Sequence, residues 1–281
     1  MGRDARELRG AWATYQRHAY HEPSPELAPW VERYWEAHWA YDEPYRQKMV
    51  PYPNVHLSFG EGRADVNGVV SGYQIKVLEG VDHVFGVAFR PGCFRPFLGA
   101  PVSTITDKVV PATDVFGQDL PRPVDVPTVE AFLLARLPEP DPRVTEAACA
   151  VEAIATDPAV TRVEMLADML GVSVRGLQRL FAEHVGIGPK WVIRRYRLRE
   201  VTERMAAGGV IDWAALSADL GYADQGHFIR DFKSMFGEVP TLYASVTEHV
   251  VRAPRTPASR PARVSRPPPS PRWCPAAGGA R

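Results

Sequence analysis

The chain has 281 residues, of which 45% are hydrophobic and 23% charged, and its 33 basic side chains balance its 33 acidic ones. This composition is typical of a soluble globular protein with room for about two domains. No apolar run approaches the ~18 residues of a membrane span, so we expect no membrane anchor. The amino-terminal residues are charged, so we expect no secretory signal. The three cysteines are scattered, which favours a reducing, cytoplasmic location.

The balanced total conceals an uneven distribution of charge. Residues 1–158 carry 15 basic and 22 acidic side chains, whereas residues 251–281 carry seven arginines and no acid. Within the intervening part, residues 172–199 hold seven basic side chains against one acidic one. The overall charge therefore says nothing about nucleic acid, but the block at 172–199 has the charge needed to meet phosphates.

The first half of the chain alternates between apolar and polar residues with a period of two. Three such runs are Trp35 to Tyr41, Val55 to Phe59 and Phe85 to Phe89. Turn signals separate the runs, at Gly60-Glu61-Gly62, at Asn67-Gly68 and at Gly80. Short alternating segments with turns between them predict an antiparallel, barrel-like sheet with one face buried.

The pattern becomes helical beyond residue 127. Val129, Phe132 and Leu133 share one helix face, and Asp141 followed by Pro142 is a good start for a second helix, since Asp caps and Pro fits the first turn. Residues beyond about 251 are mostly Pro, Arg, Ser and Ala and offer few apolar groups, so we expect a disordered tail.

Residues 163–250 contain the same pattern twice. The landmarks of the first copy recur 50 or 51 residues later, and the two sets are Leu170, Gly171, Leu177, Phe181, Gly186 and Pro189, then Leu220, Gly221, Phe228, Phe232, Gly237 and Pro240. In each copy a Gly ends a short helix, and an N-cap, Ser173 or Asp224, begins the next. A helix, a tight turn and a second helix are the helix-turn-helix arrangement.

The two copies are joined by a stretch with helical spacing from Pro189 to Ala207. About 18 helical residues span roughly 27 Å. Because successive major grooves on one face of DNA lie ~34 Å apart, a rigid spacer of this length would let both units enter neighbouring grooves.

At this point a family resemblance becomes visible. LADMLGVSVRGLQRLFAEHVGIGPKWVIRRYRLREV, followed by WAALSADLGYADQGHFIRDFKSMFGEVPTLYA, resembles the DNA-binding domain of AraC/XylS-type transcriptional regulators. The resemblance spans about 90 residues and implies an all-α domain with two helix-turn-helix units that binds double-stranded DNA. YRQKMVPYPNVHLSF and VFGVAFRPGCFRPFLG are similar to an uncharacterised domain often placed ahead of such readers.

The predicted fold class is therefore α+β, with an antiparallel β-rich, barrel-like domain followed by an all-α domain. We divide the chain into an uncertain segment at 1–28, a β-rich regulatory domain at 29–140, a connecting helix at 141–158, the double helix-turn-helix domain at 159–250 and the tail at 251–281.

The outward positions of the two recognition helices are the candidate base readers. Arg bonds guanine and Gln bonds adenine in the major groove, and Ile offers an apolar contact to a thymine methyl. The candidates are Arg175, Gln178 and Arg179 in the first unit and Gln225, Ile229 and Arg230 in the second. The alternative is that these are solvated surface residues, and it is stronger for the second unit, where Gly226 has no side chain.

A second set of cationic side chains comprises the candidate phosphate contacts. They are Lys190, Arg194, Arg195, Arg199, His227 and Lys233. For the arginines of the spacer, the solvated side of a helix is an equally good interpretation.

The N-terminal domain leaves its role open. We weigh a small-molecule sensor, a module for dimerisation or partner docking, and an enzyme such as a DNA-repair alkyl acceptor, which would need clustered cysteines. We expect no enzyme, cofactor, metal or membrane partner, while RNA polymerase, a small-molecule effector and a second copy of the chain stay open as partners. For His56 we favour a hydrogen-bonded structural role over a ligand contact, and for Cys93 an unreactive thiol.

Overall fold

The computed structural model describes residues 16–207 and 211–244. Residues 1–15, which are half of the segment predicted at 1–28, and the tail predicted at 251–281 lie outside the described residues. No described helix is long and apolar enough to cross a membrane.

The first half of the described chain forms a six-stranded antiparallel sheet in the order β1-β2-β5-β3-β4-β6. The strands are β1 Gln16–His21, β2 Val31–Met49, β3 His56–Gly60, β4 Arg63–Asn67, β5 Gln74–Phe89 and β6 Val109–Pro111. The prediction of an antiparallel, β-rich N-terminal part is confirmed.

The centre of the sheet is the long hairpin of β2 and β5, which pairs Val31 with Phe89 at one end and Met49 with Gln74 at the other. The predicted turn at Gly80 is wrong, because β5 runs through this position. Gly80 instead has a positive φ of 59° beside a register shift in β2, so the glycine signal marks a bulge within a strand.

The alternating residues of the predicted run in β2 are buried except for Trp35, which is half-buried. Ala37, Trp39 and Tyr41 are buried while the residues between them are exposed. On the core side of the sheet, Phe89 of β5 packs with rings that follow it in the chain, namely Phe94, Phe97, Phe116 and Phe132. This part of the domain interior is a packed aromatic core.

Helices make up most of the remainder. In chain order they are α1 Arg95–Leu98, a 3₁₀ turn Val102–Ile105, α2 Ala112–Phe116, α3 Val126–Leu134, α4 Pro142–Thr156, α5 Val163–Leu170, α6 Val174–Leu180, a π turn Phe181–Val185, α7 Pro189–Ala207, α8 Trp213–Asp219 and α9 Gln225–Phe236, with residues 240–244 helical again. The all-α second half with its spacer helix is confirmed. Asp141 caps α4 as predicted, accepting a hydrogen bond from the Arg143 N–H at 2.8 Å.

Two hydrophobic cores lie in the helical half, and α7 contributes to both. Val192 and Ile193 pack in the core formed by α4, α5 and α6. Leu198, Val201 and Met205 pack with α8 and α9. The two helix-turn-helix units are therefore joined by a helix buried in each of them.

The sheet domain contacts the helical domain on both units. Thr106 donates a hydrogen bond to the Gly186 carbonyl beside the first unit. Between the units, the Trp191 indole N–H donates to the Ser71 carbonyl at 2.7 Å, and Trp191 packs against both helical cores. Next to the second unit, the Lys48 ammonium lies 3.2 Å from the Glu238 carboxylate. Both partners of that ion pair are largely buried, so it is shielded from salt.

A substitution at Gly86, in the middle of β5, tests the packing of the sheet. A Cβ at this position would lie 2.1 Å from Trp35 Cε2, and Trp35 also donates a hydrogen bond to His56 at 3.3 Å. We expect Gly86→Ala to lower the free energy of unfolding by about 1–3 kcal/mol, because the indole must move. Urea unfolding of the full chain measures this.

The matched control is Gly72→Ala, whose Cβ would meet only one neighbouring atom, at an ordinary contact distance of 3.5 Å. Equal unfolding midpoints for the two variants would contradict the packing described for Trp35.

Candidate nucleic-acid interface

The first helix-turn-helix unit is built from α5 and α6. Helix α5 ends at Gly171, whose φ of 66° lies in the left-handed region that glycine adopts without strain. Ser173 then begins α6, because its side chain accepts a hydrogen bond from the Gly176 N–H at 3.1 Å. The turn is therefore short and defined at both ends.

The side chains of α6 divide into a buried and an exposed set. Leu177 and Leu180 are buried against the core of the unit. Arg175, Gln178 and Arg179 are exposed on the opposite side. The three predicted base readers of this unit are thus brought together on one accessible helix face.

The second unit repeats this construction with α8 and α9. Gly221 adopts a φ of 78° in the turn, and the Asp224 side chain caps α9 by accepting a hydrogen bond from the His227 N–H at 2.7 Å. Phe228 and Phe232 are fully buried and stack against neighbouring rings of the unit.

The predicted readers of the second unit differ in accessibility. Gln225, Arg230 and Lys233 are exposed. Ile229 is half-buried because it packs against the core of the unit, and it lines an apolar cleft of about 200 Å³ with Trp213 and Pro240. The second helix therefore presents fewer polar side chains than the first.

The arginines of α7 are mostly engaged within the protein. Arg194 forms an ion pair with Asp231 of α9, a carboxylate that is 7% exposed. Arg199 pairs with Glu203 one turn later at 2.8 Å, on the exposed side of the helix. Arg194 thus ties α7 to the second recognition helix, while Arg199 keeps part of its surface in solvent.

The predicted phosphate contact at Arg195 does not fit its position in the structure. This residue is 2% exposed, donates from Nε to the Pro51 carbonyl and stacks over the Tyr52 ring at 3.9 Å. Burial lowers its pKa. Since the guanidinium lies in the contact with the sheet domain, it cannot meet a phosphate without leaving that contact.

Sequence reasoning missed the role of Arg197. Its guanidinium is buried and donates to the Ile154 carbonyl at 2.5 Å and the Asp157 carbonyl at 3.1 Å. Both carbonyls belong to the C-terminal end of α4, where a cation satisfies acceptors that the helix leaves unpaired. Arg197 therefore fixes α7 on the helix that precedes the first unit.

The cations that stay available at the surface are fewer than the sequence indicates. Lys190 and Lys233 are exposed, and the side chain of His227 is 44% exposed. Lys190 lies in the first turn of α7, immediately after the first unit, and Lys233 lies on the exposed side of α9.

The singled-out residues of the sheet domain make contacts within the protein. His56 accepts a hydrogen bond from Trp35, as favoured above, and burial together with the nearby Arg33 lowers its pKa to about 4. Cys93 is buried, which raises its pKa to about 12 despite Arg90, so the thiolate that would react is suppressed. Among residues 16–207 and 211–244, no group of three or more His, Cys, Asp or Glu side chains could hold a metal ion.

Two family models match the chain. Residues 166–245 match a model described as a helix-turn-helix domain, and residues 19–111 match one described as a domain of unknown function, DUF6597. The helix-turn-helix match covers both units described above. The C-terminal part of the chain is an AraC-type helix-turn-helix domain, preceded by a DUF6597 domain.

The similar curated proteins are transcriptional activators. The chain is 32% identical over 81 residues to the XylDLEGF operon transcriptional activator 1 of Pseudomonas putida, and 31% identical over 81 residues to a further XylDLEGF operon transcriptional activator from the same organism. These matches cover 28% of this chain, and the chain spans about a quarter of the relatives' length, 24% and 25%.

Among solved structures, the chain is similar to ToxT from Vibrio cholerae O395, with a TM-score of 0.37 and 11% identity over 83% of this chain and 98% of ToxT. A structure of the xylose-binding transcription activator xylR gives a TM-score of 0.31 and 19% identity over 43% of this chain and 37% of that one. Likeness at this level carries no functional assignment.

Substitutions at Ser173 test whether its side-chain cap stabilises the first recognition helix. We expect Ser173→Ala to lower the free energy of unfolding by about 1 kcal/mol, because the Gly176 N–H loses its acceptor. The amide side chain in Ser173→Asn can accept the same hydrogen bond, so this variant should unfold like the wild type. The urea midpoints of the three proteins compare them, and a wild-type midpoint for Ser173→Ala would contradict the cap.

Proposed function

From the AraC-type helix-turn-helix domain at residues 166–245, we propose that the chain is a sequence-specific DNA-binding regulator of transcription. The observation that carries the proposal is the division of two successive helix-turn-helix units into buried apolar backs and exposed polar fronts. In the first unit the front holds Arg175, Gln178 and Arg179. These side chains match the donor and acceptor patterns of base edges in the major groove.

The two units have unequal parts in base recognition. Arg175 and Arg179 can each bond O6 and N7 of guanine in a bidentate manner, and Gln178 can bond N6 and N7 of adenine. In the second unit Gln225 and Arg230 are the exposed polar readers, while Ile229 is half-buried and limited to an apolar contact. We therefore assign most of the base-specific energy to the first unit.

Phosphate contacts position the domain on the duplex. Lys190, Lys233 and His227 are accessible beside the recognition helices, and Arg199 is half-exposed. Arg194 has a lesser part because it is paired with Asp231. Contacts of this kind hold the protein in register and make its affinity depend on salt.

The function of the helix-turn-helix domain does not involve catalysis. The curated relatives are transcriptional activators, and the chemistry of the exposed faces is that of hydrogen-bond recognition. The proposal includes a cytoplasmic location. It also includes two partners, RNA polymerase and a second copy of the chain in a homodimer.

Arg179 and Lys190 form a matched pair that tests the assignment of bases and phosphates. In a selection from random duplexes, Arg179→Ala should relax the preference at one base position and cost about 1–3 kcal/mol on the wild-type site, because a bidentate base contact is lost. Lys190→Ala should instead weaken binding to all sequences and reduce the salt slope by about one.

Arg63→Ala serves as the control, because this exposed arginine lies in the hairpin of β3 and β4 within the sheet domain. Its selected sequence and salt slope should equal those of the wild type. An unchanged base preference in Arg179→Ala would contradict the proposed base contact.

We propose further that the N-terminal domain regulates DNA binding, with a small molecule as its signal. The support is the set of polar contacts from the sheet domain to α7 and to the segment after α9, made by Ser71 with Trp191 and by Lys48 with Glu238. A change in the sheet domain would thereby reach α7 and the second unit. The second candidate is a docking or dimerisation module without a ligand, which these contacts would serve equally well.

A thermal-shift screen of the full chain against metabolite pools separates the two candidates. We expect one compound to raise the melting temperature saturably, since a ligand at 100 times its Kd adds about 2.7 kcal/mol, and to change the affinity for the duplex. Trp191→Phe loses the N–H that bonds Ser71 and should retain the thermal shift while its duplex affinity responds less. Saturable stabilisation with no change in duplex affinity would contradict the regulatory contact, and no stabilisation would favour docking.

A further inference from the structure

A buried carboxylate on the second recognition helix has one unsatisfied oxygen. Asp231 is 7% exposed, and its Oδ1 is paired with Arg194 of the spacer helix. Its Oδ2 has no hydrogen-bond partner among the described residues. A buried acceptor of this kind costs free energy until a donor reaches it.

The group placed to supply that donor is His227, one helical turn earlier on the same helix. Its Nε2 lies 3.8 Å from Asp231 Oδ2, just beyond hydrogen-bond distance, and its side chain is 44% exposed. The imidazole thus has one edge toward a buried carboxylate, while part of its surface stays exposed to solvent.

Three other polar or charged groups face this pair from the elements around it. Arg194 comes from α7, and Asp224, at the start of α9, accepts a hydrogen bond from the backbone N–H of His227. Tyr222, in the turn, stacks edge-on against the imidazole at 5.5 Å. Its hydroxyl is buried next to Asp231, and burial together with this carboxylate raises its pKa. Tyr222 thus stays a neutral phenol and is the competing donor to Asp231.

The chemistry of imidazole decides what this arrangement can bind. A neutral imidazole has one N–H donor, whereas an imidazolium has two. If Nε2–H donates to Asp231 Oδ2, the neutral ring presents a lone pair at Nδ1, which repels a phosphate oxygen. Only the doubly protonated ring donates to the carboxylate and to a phosphate at the same time.

We propose that His227 bridges Asp231 Oδ2 and a DNA phosphate as an imidazolium, so that binding of duplex takes up one proton from the solvent. Asp231 is a positioning residue that acts through His227, and Arg194 holds the other oxygen of its carboxylate. The inference rests on the proposed function, because the phosphate belongs to the duplex that the helix-turn-helix units bind. It adds a pH dependence that a lysine in the same place would not give.

The test measures the Kd of the full chain for a duplex selected by the wild type, between pH 8 and pH 6 at constant salt. We expect the affinity to rise toward pH 6 by up to about tenfold per pH unit, the limit for uptake of one proton. His227→Gln should lose this rise, because an amide does not titrate. His83→Gln, at an exposed position of β5, should retain it.

Tyr222→Phe distinguishes the imidazole from the phenol as the donor to Asp231, and it keeps the ring that packs on Phe228. If Tyr222→Phe retains the rise in affinity toward pH 6, the result supports His227 as the group that takes up the proton. If Tyr222→Phe loses the rise and His227→Gln retains it, the inference is overturned. A wild-type affinity that does not change with pH, with specific binding intact, overturns the inference and leaves the proposed function in place. Failure to bind any selected duplex at any pH contradicts the proposed function itself.

Discussion

The arrangement of the helical domain depends on three guanidinium groups of one helix that make contacts within the protein, of which Arg195 and Arg197 are buried and Arg194 is partly exposed. Arg194 pairs with Asp231 of α9, Arg195 with the Pro51 carbonyl and the Tyr52 ring, and Arg197 with carbonyls at the end of α4. A cation that leaves water without an acceptor costs several kcal/mol, so each contact must be made for α7 to pack as it does. Since the three partners lie in three different parts of the chain, α7 can satisfy all of them in one position only.

This constraint sets the relation between the two DNA-reading surfaces. Each recognition helix is aligned locally, by a cap and by a buried apolar face, but the caps at Ser173 and Asp224 say nothing of how the two units lie relative to each other. The apolar residues that α7 contributes to both cores hold the two units together. The polar contacts of Arg194, Arg195 and Arg197 fix the orientation of α7 relative to its neighbours. Through Arg195 the same helix is also held against the loop that follows β2, which brings the sheet domain into the arrangement.

Much of the fold could be predicted because each signal was local. A glycine that ends a helix, an Asp or Ser that begins the next and an apolar pair at i and i+4 act over a few residues, and all recur in both units. The use of the spacer arginines could not be predicted from charge, because a guanidinium that meets a phosphate and one that meets a carbonyl look alike in the sequence. The helical period did contain a signal, since Arg197 lies four residues from both Ile193 and Val201, which are buried. Gly80 is a similar case, in that glycine allows a turn and a bulge equally and only pairing with β2 decides between them.

Methylation interference at guanine N7 tests most directly whether both units read duplex DNA from the major groove. With the full chain and a selected duplex, two groups of interfering guanines should appear about 10–10.5 base pairs apart on one face, because the units are joined through one buried helix. A single group of guanines, or none in a duplex that is bound specifically, would contradict the double major-groove arrangement.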